Sequence, residues 1–261
     1  MPGRFQDKVV VVSGGSRGIG RGIATAFARE GARCVLASSS AANLAIAAKA
    51  IAAEGSEPLT VAADLRELVG CERVLASVKE RFNRCDVLVN NAGRTRAGNF
   101  LDLPDEAFVD GFALKYFGAV RLTRLFWPLL KSVQGHVVNI VGGAARSPEP
   151  EFLVGGAVNA AVANFSKGLS KLGMRDGVNV NVIHPGNTAT ERQEELLAQR
   201  AAATGKTAEE LRAAALAKSG ARRVGRVEDV AALALFLCSE EARHIQGTAI
   251  AVDGGGTVGY Y

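Results

Sequence analysis

The stretch Val9 to Gly20, VVVVSGGSRGIG, constrains this chain more than any other. Four consecutive β-branched residues suit a strand buried on both faces, and they run straight into a loop carrying Gly14, Gly15, Gly18 and Gly20. Beyond it Ile19, Ile23, Ala26 and Phe27 recur at helical spacing, so the loop ends at a helix N terminus. The free N–H groups and the positive end of the helix dipole there favour a pyrophosphate. The glycines let backbone come close to the phosphates and to the helix. Strand, glycine loop and helix in this order predict nucleotide binding.

A chain of 261 residues with 48% hydrophobic content can bury one large core, and a single domain spanning 1–261 is expected. The formal charge of +5 is spread among interspersed acids and bases without a Lys/Arg block, which argues against a nucleic-acid partner. Cys34, Cys71, Cys85 and Cys238 lie far apart, with neither CxxC spacing nor a His at metal-ligand spacing. They read as reduced cysteines of a cytoplasmic protein with no bound metal. The opening MPGRFQDK lacks the apolar core of an export signal, and no apolar run reaches bilayer length, so no membrane association is expected.

Strand and helix patterns alternate along the chain. Strands are predicted at Val9 onward, 33–37, 59–62, 87–89, 136–141, 178–183 and 249–252. Helices are predicted after the glycine loop, at 41–54, 68–82, 105–133, 152–172 and 228–237, with two more in 190–219 broken near Gly205. Such alternation predicts an α/β fold: a doubly wound parallel sheet of about seven strands with helices on both faces. Ligands then sit beyond the C-terminal ends of the strands.

The SGGSRGIG loop, Asp64 after strand three, Asn90-Asn91-Ala92-Gly93 after strand four, His184-Pro185-Gly186 after strand six and the closing Val252-Asp253-Gly254-Gly255 together resemble the short-chain dehydrogenase/reductase family nearly end to end. The resemblance implies a Rossmann-type sheet, a homotetramer or homodimer, and hydride transfer between a nicotinamide dinucleotide and a carbonyl or alcohol. It assigns cofactor contacts to Gly14, Ser16, Arg17, Gly18, Ile19 and Gly20, to Asp64 and Leu65, to Asn91, Ala92 and Gly93, and to Pro185, Gly186, Thr188 and Thr190. It also assigns 190–219 to a substrate lid. Strand two ends in Ser38-Ser39-Ser40, without the acid that would bind a ribose 2′-OH and repel a 2′-phosphate. With Arg17 in the loop to pair with that phosphate, NADP(H) is favoured over NAD(H). The competing reading leaves Arg17 in solvent and uses the serines as helix caps.

The family's catalytic residues are a Tyr and a Lys one helical turn apart, a Ser on the preceding strand end and an Asn on the long helix before it. Registering this chain on Ala160-Ala161-Val162 and Phe165-Ser166-Lys167 puts Gly155, Asn159, Gly142 and Lys115 in those four places. Sliding the register restores nothing, because the tyrosines are Tyr116, Tyr260 and Tyr261, and the nearest aromatic, Phe152, has no hydroxyl. Two readings follow. In one, Lys115 projects an ammonium into the vacated space and polarises or protonates a carbonyl; in the other, the protein binds dinucleotide without turnover, as a redox sensor or as the partner of an active relative. Asn159 is expected on the nicotinamide ribose, and Gly142, Gly143, Gly155 and Gly156 are expected to leave an open pocket. Tyr116 is expected to pack in a core or interface and His184 at the strand end. Glu149 and Glu151 are acids near the mouth, and a terminal Tyr260 or Tyr261 could reach a neighbouring subunit.

Overall fold

The strand β1, Val9–Ser13, has every side chain buried, as its β-branched run requires. Its structure, a computed structural model, describes residues 3–257, so the expectation for Tyr260 and Tyr261 falls outside the described residues. β1 pairs in parallel with β2 (Arg33–Ser38) on one side and β4 (Val87–Asn90) on the other. The sheet continues outward through β3 (Leu59–Ala62) beyond β2, and through β5 (His136–Ile140), β6 (Asn179–Pro185) and β7 (Ala249–Val252) beyond β4. The order 3-2-1-4-5-6-7 reverses direction between β1 and β4, which opens a crevice at their C-terminal ends.

Period-two alternation assigns the two faces. Val10, Val12, Leu36 and Val89 pack against α1 (Gly18–Arg29), α2 (Ala41–Ala52) and α9 (Val227–Leu237). Val9, Val11, Val35 and Leu88 pack against α3 (Leu68–Arg81) and α5 (Gly118–Ser132). Helices therefore cover both faces, as expected from the alternation.

The helix expected over 105–133 is interrupted. α4 (Asp105–Gly111) passes into a π-helical segment, Phe112–Phe117, before α5 begins. The wider turns of a π segment admit an extra residue into the ladder without breaking the helix, and such segments gather at functional sites. Lys115 lies inside it. A 3₁₀ turn, Pro150–Phe152, leads into α6 (Leu153–Asp176), which extends one turn beyond the expected end and closes on a left-handed Gly177. The 190–219 stretch forms α7 (Glu191–Thr204) and α8 (Ala208–Ser219), separated at Gly205 with φ +69°. Among the described residues no helix is long and apolar enough to cross a membrane.

Candidate active site

The glycine loop is built on contacts that a side chain would destroy. Gly14 has φ +65°, and a Cβ there would lie 2.9 Å from Ala92 Cα. On Gly20 a Cβ would lie 2.3 Å from the Gly14 carbonyl oxygen, so helix and loop meet backbone to backbone. Ser13, which the sequence reading passed over, joins the loops after β1 and β4: its Oγ donates to the Val89 carbonyl and accepts from Asn91 N at 3.0 Å and Ala92 N at 3.1 Å. Its only sequence signal is a small hydroxyl ending a β-branched strand. Asn91 Nδ2 donates to the carbonyls of Ser13 and Gly14, so this side chain braces the cradle.

Ser16 Oγ donates to Ser38 Oγ at 3.0 Å, bringing the loop and the end of β2 together. Ser39 is exposed beside them. Ser40 follows the competing reading of the serines as caps: its hydroxyl caps α2 by accepting from Asn43 N, the satisfaction that a helix start demands. Asp64 is held by a bidentate bond to the Arg66 guanidinium, which keeps its carboxyl below the usual range. The Leu65 side chain is sealed in the core beneath α3 and α5, leaving only its main chain for a ligand.

At the end of β6, Gly186 lies so close to Asp253 that a Cβ would be 2.6 Å from its side chain, while Pro185 pairs with Val252. Thr188, expected to face a ligand, is turned inward and donates to the Gly186 carbonyl at 3.1 Å. Thr190 caps α7, accepting from Gln193 N, and its methyl rests against Gly18. From the next residue the Glu191 carboxylate accepts the Gly18 N–H at 3.0 Å and pairs with Arg21 at 2.5 Å. Glu195, one turn on, pairs with Arg17 at 3.0 Å. Arg17 thus pairs with α7 while its side chain stays partly in solvent.

Around Gly142, Gly155 and Asn159 the space is filled by neighbouring side chains. A Cβ on Gly155 would lie 2.1 Å from two ring carbons of Phe152, so this ring lies directly over Gly155, the residue expected at the family tyrosine's position. The pocket expected above the glycines is narrower for it. Asn159 is 3% exposed, with Oδ1 accepting from Gly142 N at 2.8 Å and Nδ2 donating to the Gly155 carbonyl at 2.7 Å. The carboxamide expected on a ribose here ties β5's exit to α6. Tyr116 packs edge-on against Phe112, Phe117 and Phe165, as expected. Glu149 pairs with Lys218 at the end of α8.

The Lys115 stem crosses Gly93, where a Cβ would lie 2.8 Å from Lys115 Cδ. Burial pushes its amine down from 10.5 to about 8, and among the described residues no carboxylate pairs with it. His184 lies near enough for the Lys115 and Arg146 charges to reinforce the effect of burial in lowering its pKa. Its Nδ1 meets the Val141 carbonyl at 2.7 Å, so the neutral ring donates there and leaves Nε2 as a buried acceptor with no hydrogen-bond partner among the described residues.

The cradle fits a dinucleotide: left-handed glycines leave room for phosphates, a helix start faces them, and β2 ends without an acid. The family model described as enoyl-(acyl carrier protein) reductase matches residues 14–257. This chain belongs to the short-chain dehydrogenase/reductase family. An uncharacterized oxidoreductase of Mycobacterium tuberculosis is 34% identical to it, covering 97% of this chain and 93% of the relative. The L-fucose dehydrogenase of Bos taurus is also 34% identical, covering 98% and 92%. Among solved structures, L-sorbose reductase from Gluconobacter frateurii, complexed with NADPH and L-sorbose, superposes with a TM-score of 0.94 at 30% identity, with both chains covered completely. Membership in this dehydrogenase/reductase family, with neighbours complexed with NADPH or NADH, supports binding of a nicotinamide dinucleotide.

Proposed function

We propose that this chain is an oxidoreductase that prefers NADP(H) to NAD(H) and works on a carbonyl or alcohol, with Lys115 as its proton donor and acceptor. The observation that carries the reading is Lys115 itself, a half-buried amine whose stem lies on Gly93 with no carboxylate beside it among the described residues. The nicotinamide supplies or takes the hydride. In reduction, Lys115 Nζ gives a proton to the carbonyl oxygen as charge builds there and regains one from solvent; in oxidation the free amine takes the alcohol proton. The α1 N terminus and Ser16 hold the pyrophosphate, and Arg17 with Ser38 and Ser39 holds the 2′-phosphate. Asp64, the Leu65 main chain, Ala92 and Gly93 line the adenosine side, and Pro185, Gly186 and Thr190 the nicotinamide end. Phe152 and Asn159 shape the cavity without exchanging protons.

Titration with NADPH and NADH, followed by nicotinamide fluorescence, tests the cofactor reading. A panel of sugars and simple ketones then tests turnover, starting from L-fucose and L-sorbose because those sugars appear in the relatives' names. Lys115→Ala is expected to lower kcat about 100-fold or more, as loss of a general acid does. Undiminished turnover in that variant would remove Lys115 from the mechanism. The non-catalytic alternative is disfavoured because the named relatives are dehydrogenases and reductases. The same reading takes the protein as a single-domain cytoplasmic homotetramer or homodimer with α7 and α8 as its lid. Sedimentation of the purified protein tests the assembly.

A further inference from the structure

The phosphate-binding groups of the glycine loop are already engaged by acids from the lid. Glu191, in the first turn of α7, accepts the N–H of Gly18, the first residue of α1, at 3.0 Å. No side chain from α1's own cap does this, so the carboxylate spends part of the positive potential that a diphosphate would use. It is ionised at neutral pH: burial opposes the charge, but its own backbone N–H, the Arg21 charge and the Gly18 N–H together hold its carboxyl below the usual range. Glu195, one turn further along α7, pairs with Arg17 at 3.0 Å. These acids meet different parts of the cradle. The α1 N terminus serves the pyrophosphate of either cofactor, whereas Arg17 has a partner only in a cofactor with a 2′-phosphate.

We propose that Glu191 and Glu195 are positioning residues that set cofactor affinity and selectivity: Glu191 competes with the pyrophosphate at the start of α1, and Glu195 competes with the 2′-phosphate for Arg17. The Glu195 half rests on the reading of Arg17 as the 2′-phosphate ligand; the Glu191 half does not. A dinucleotide must draw both carboxylates away or bind against their charge, and only NADPH has to contend with Glu195. NADP(H) preference is therefore weaker than Arg17 alone would give.

Equilibrium titrations of the full chain with NADPH and with NADH, read by nicotinamide fluorescence, separate the two roles without any turnover. Glu191→Gln is expected to tighten both cofactors by the same factor, about 3- to 10-fold, the scale of a half-exposed charged contact. Glu195→Gln is expected to tighten NADPH about 3-fold and leave NADH unchanged. Arg17→Ala is expected to weaken NADPH about 10-fold relative to NADH, and Glu195→Gln added to it should give no further change in the ratio. Glu195→Gln shifting both cofactors alike, or neither, while Arg17→Ala still lowers the ratio, would overturn the role of Glu195 and leave the NADP(H) reading standing. An unchanged ratio in Arg17→Ala would instead overturn the NADP(H) reading and the Glu195 role with it. Glu191→Gln weakening both cofactors would show that the carboxylate organises the cradle, and would overturn its role as a competitor. Both glutamates are on the lid surface and their glutamine variants keep the side-chain shape, so thermal unfolding is expected to stay within 2 °C or so of the parent.

Discussion

Lys115 is costly to the fold, and that cost is measurable. A half-buried cation with no carboxylate beside it among the described residues disfavours its own protonated form, which pushes the amine down from 10.5 to about 8. Below about pH 8 both folded and unfolded chains carry this proton and the folded state bears the whole penalty. Between 8 and 10.5 the unfolded chain holds more protons, so stability rises with pH across that window. Lys115→Met keeps the stem over Gly93 and removes the charge. It is expected to stabilise the protein by about 1–2 kcal/mol at pH 7, a low figure because the side chain keeps some contact with solvent, with the gain shrinking toward pH 10. Urea unfolding at the two pH values checks it. With Lys115 as the proposed proton donor, carbonyl reduction is expected to slow as pH rises through about 8. A stabilised Met variant without turnover is the signature of a functional charge; a destabilised one with normal turnover is that of a packing residue.

Among the elements, the first turn of α6 depends most narrowly on one residue type. The Phe152 ring occupies the space above Gly155, and an Ala Cβ there would meet two ring carbons at 2.1 Å. Gly155→Ala is expected to cost about 1–3 kcal/mol, lowering Tm by several degrees, despite alanine's better helix propensity. In the Phe152→Ala background the same change is expected to cost little, so a double-mutant cycle by thermal unfolding should return a coupling of about 1–3 kcal/mol. This contact also shows where the sequence stops being legible. Strands such as Leu59–Ala62 and Ala249–Val252 could be read to the residue, because alternation and turn residues are local signals. The π segment at Phe112–Phe117 carries no such signal, since helical periodicity differs little over six residues. Spacing placed the expected site positions at the strand ends, but the partners of their atoms could not be read from it. Asn159, Ser40 and Thr188 are spoken for by Gly142 and Gly155, Asn43 and Gly186, partners that only the tertiary fold supplies. Phe152 could be placed one turn from Gly155, yet only packing turns its ring onto that glycine.

At the scale of the whole molecule, the sheet separates acid sensitivity from chemistry. The glycine loop, Lys115's contact with Gly93 and the end of β6 lie at the C-terminal ends of the strands, while His136 begins β5 at the opposite end. There its N–H bonds the Asp86 carbonyl, and the Asp86 carboxylate accepts Val9 N and pairs with Arg84 and Lys8. Burial, helped by the Arg243 charge and opposed by Asp86, lowers His136 from 6.5 to about 4. Between those values the unfolded chain binds a proton that the folded chain refuses, so stability falls as pH drops through that window. The full shift corresponds to a loss of about 3 kcal/mol, most of it incurred before ordinary carboxylates begin to protonate. Urea unfolding at pH 7 and at pH 4.5 is expected to show this loss in the parent and a much flatter dependence in His136→Gln. Because His136 and the cradle are at opposite ends of the strands, the NADPH-to-NADH affinity ratio of the folded fraction should be the same in parent and variant at either pH. A pH slope that persists in His136→Gln would assign the acid sensitivity to other groups, and a ratio changed by the substitution would mean that the two ends of the sheet are coupled through β5.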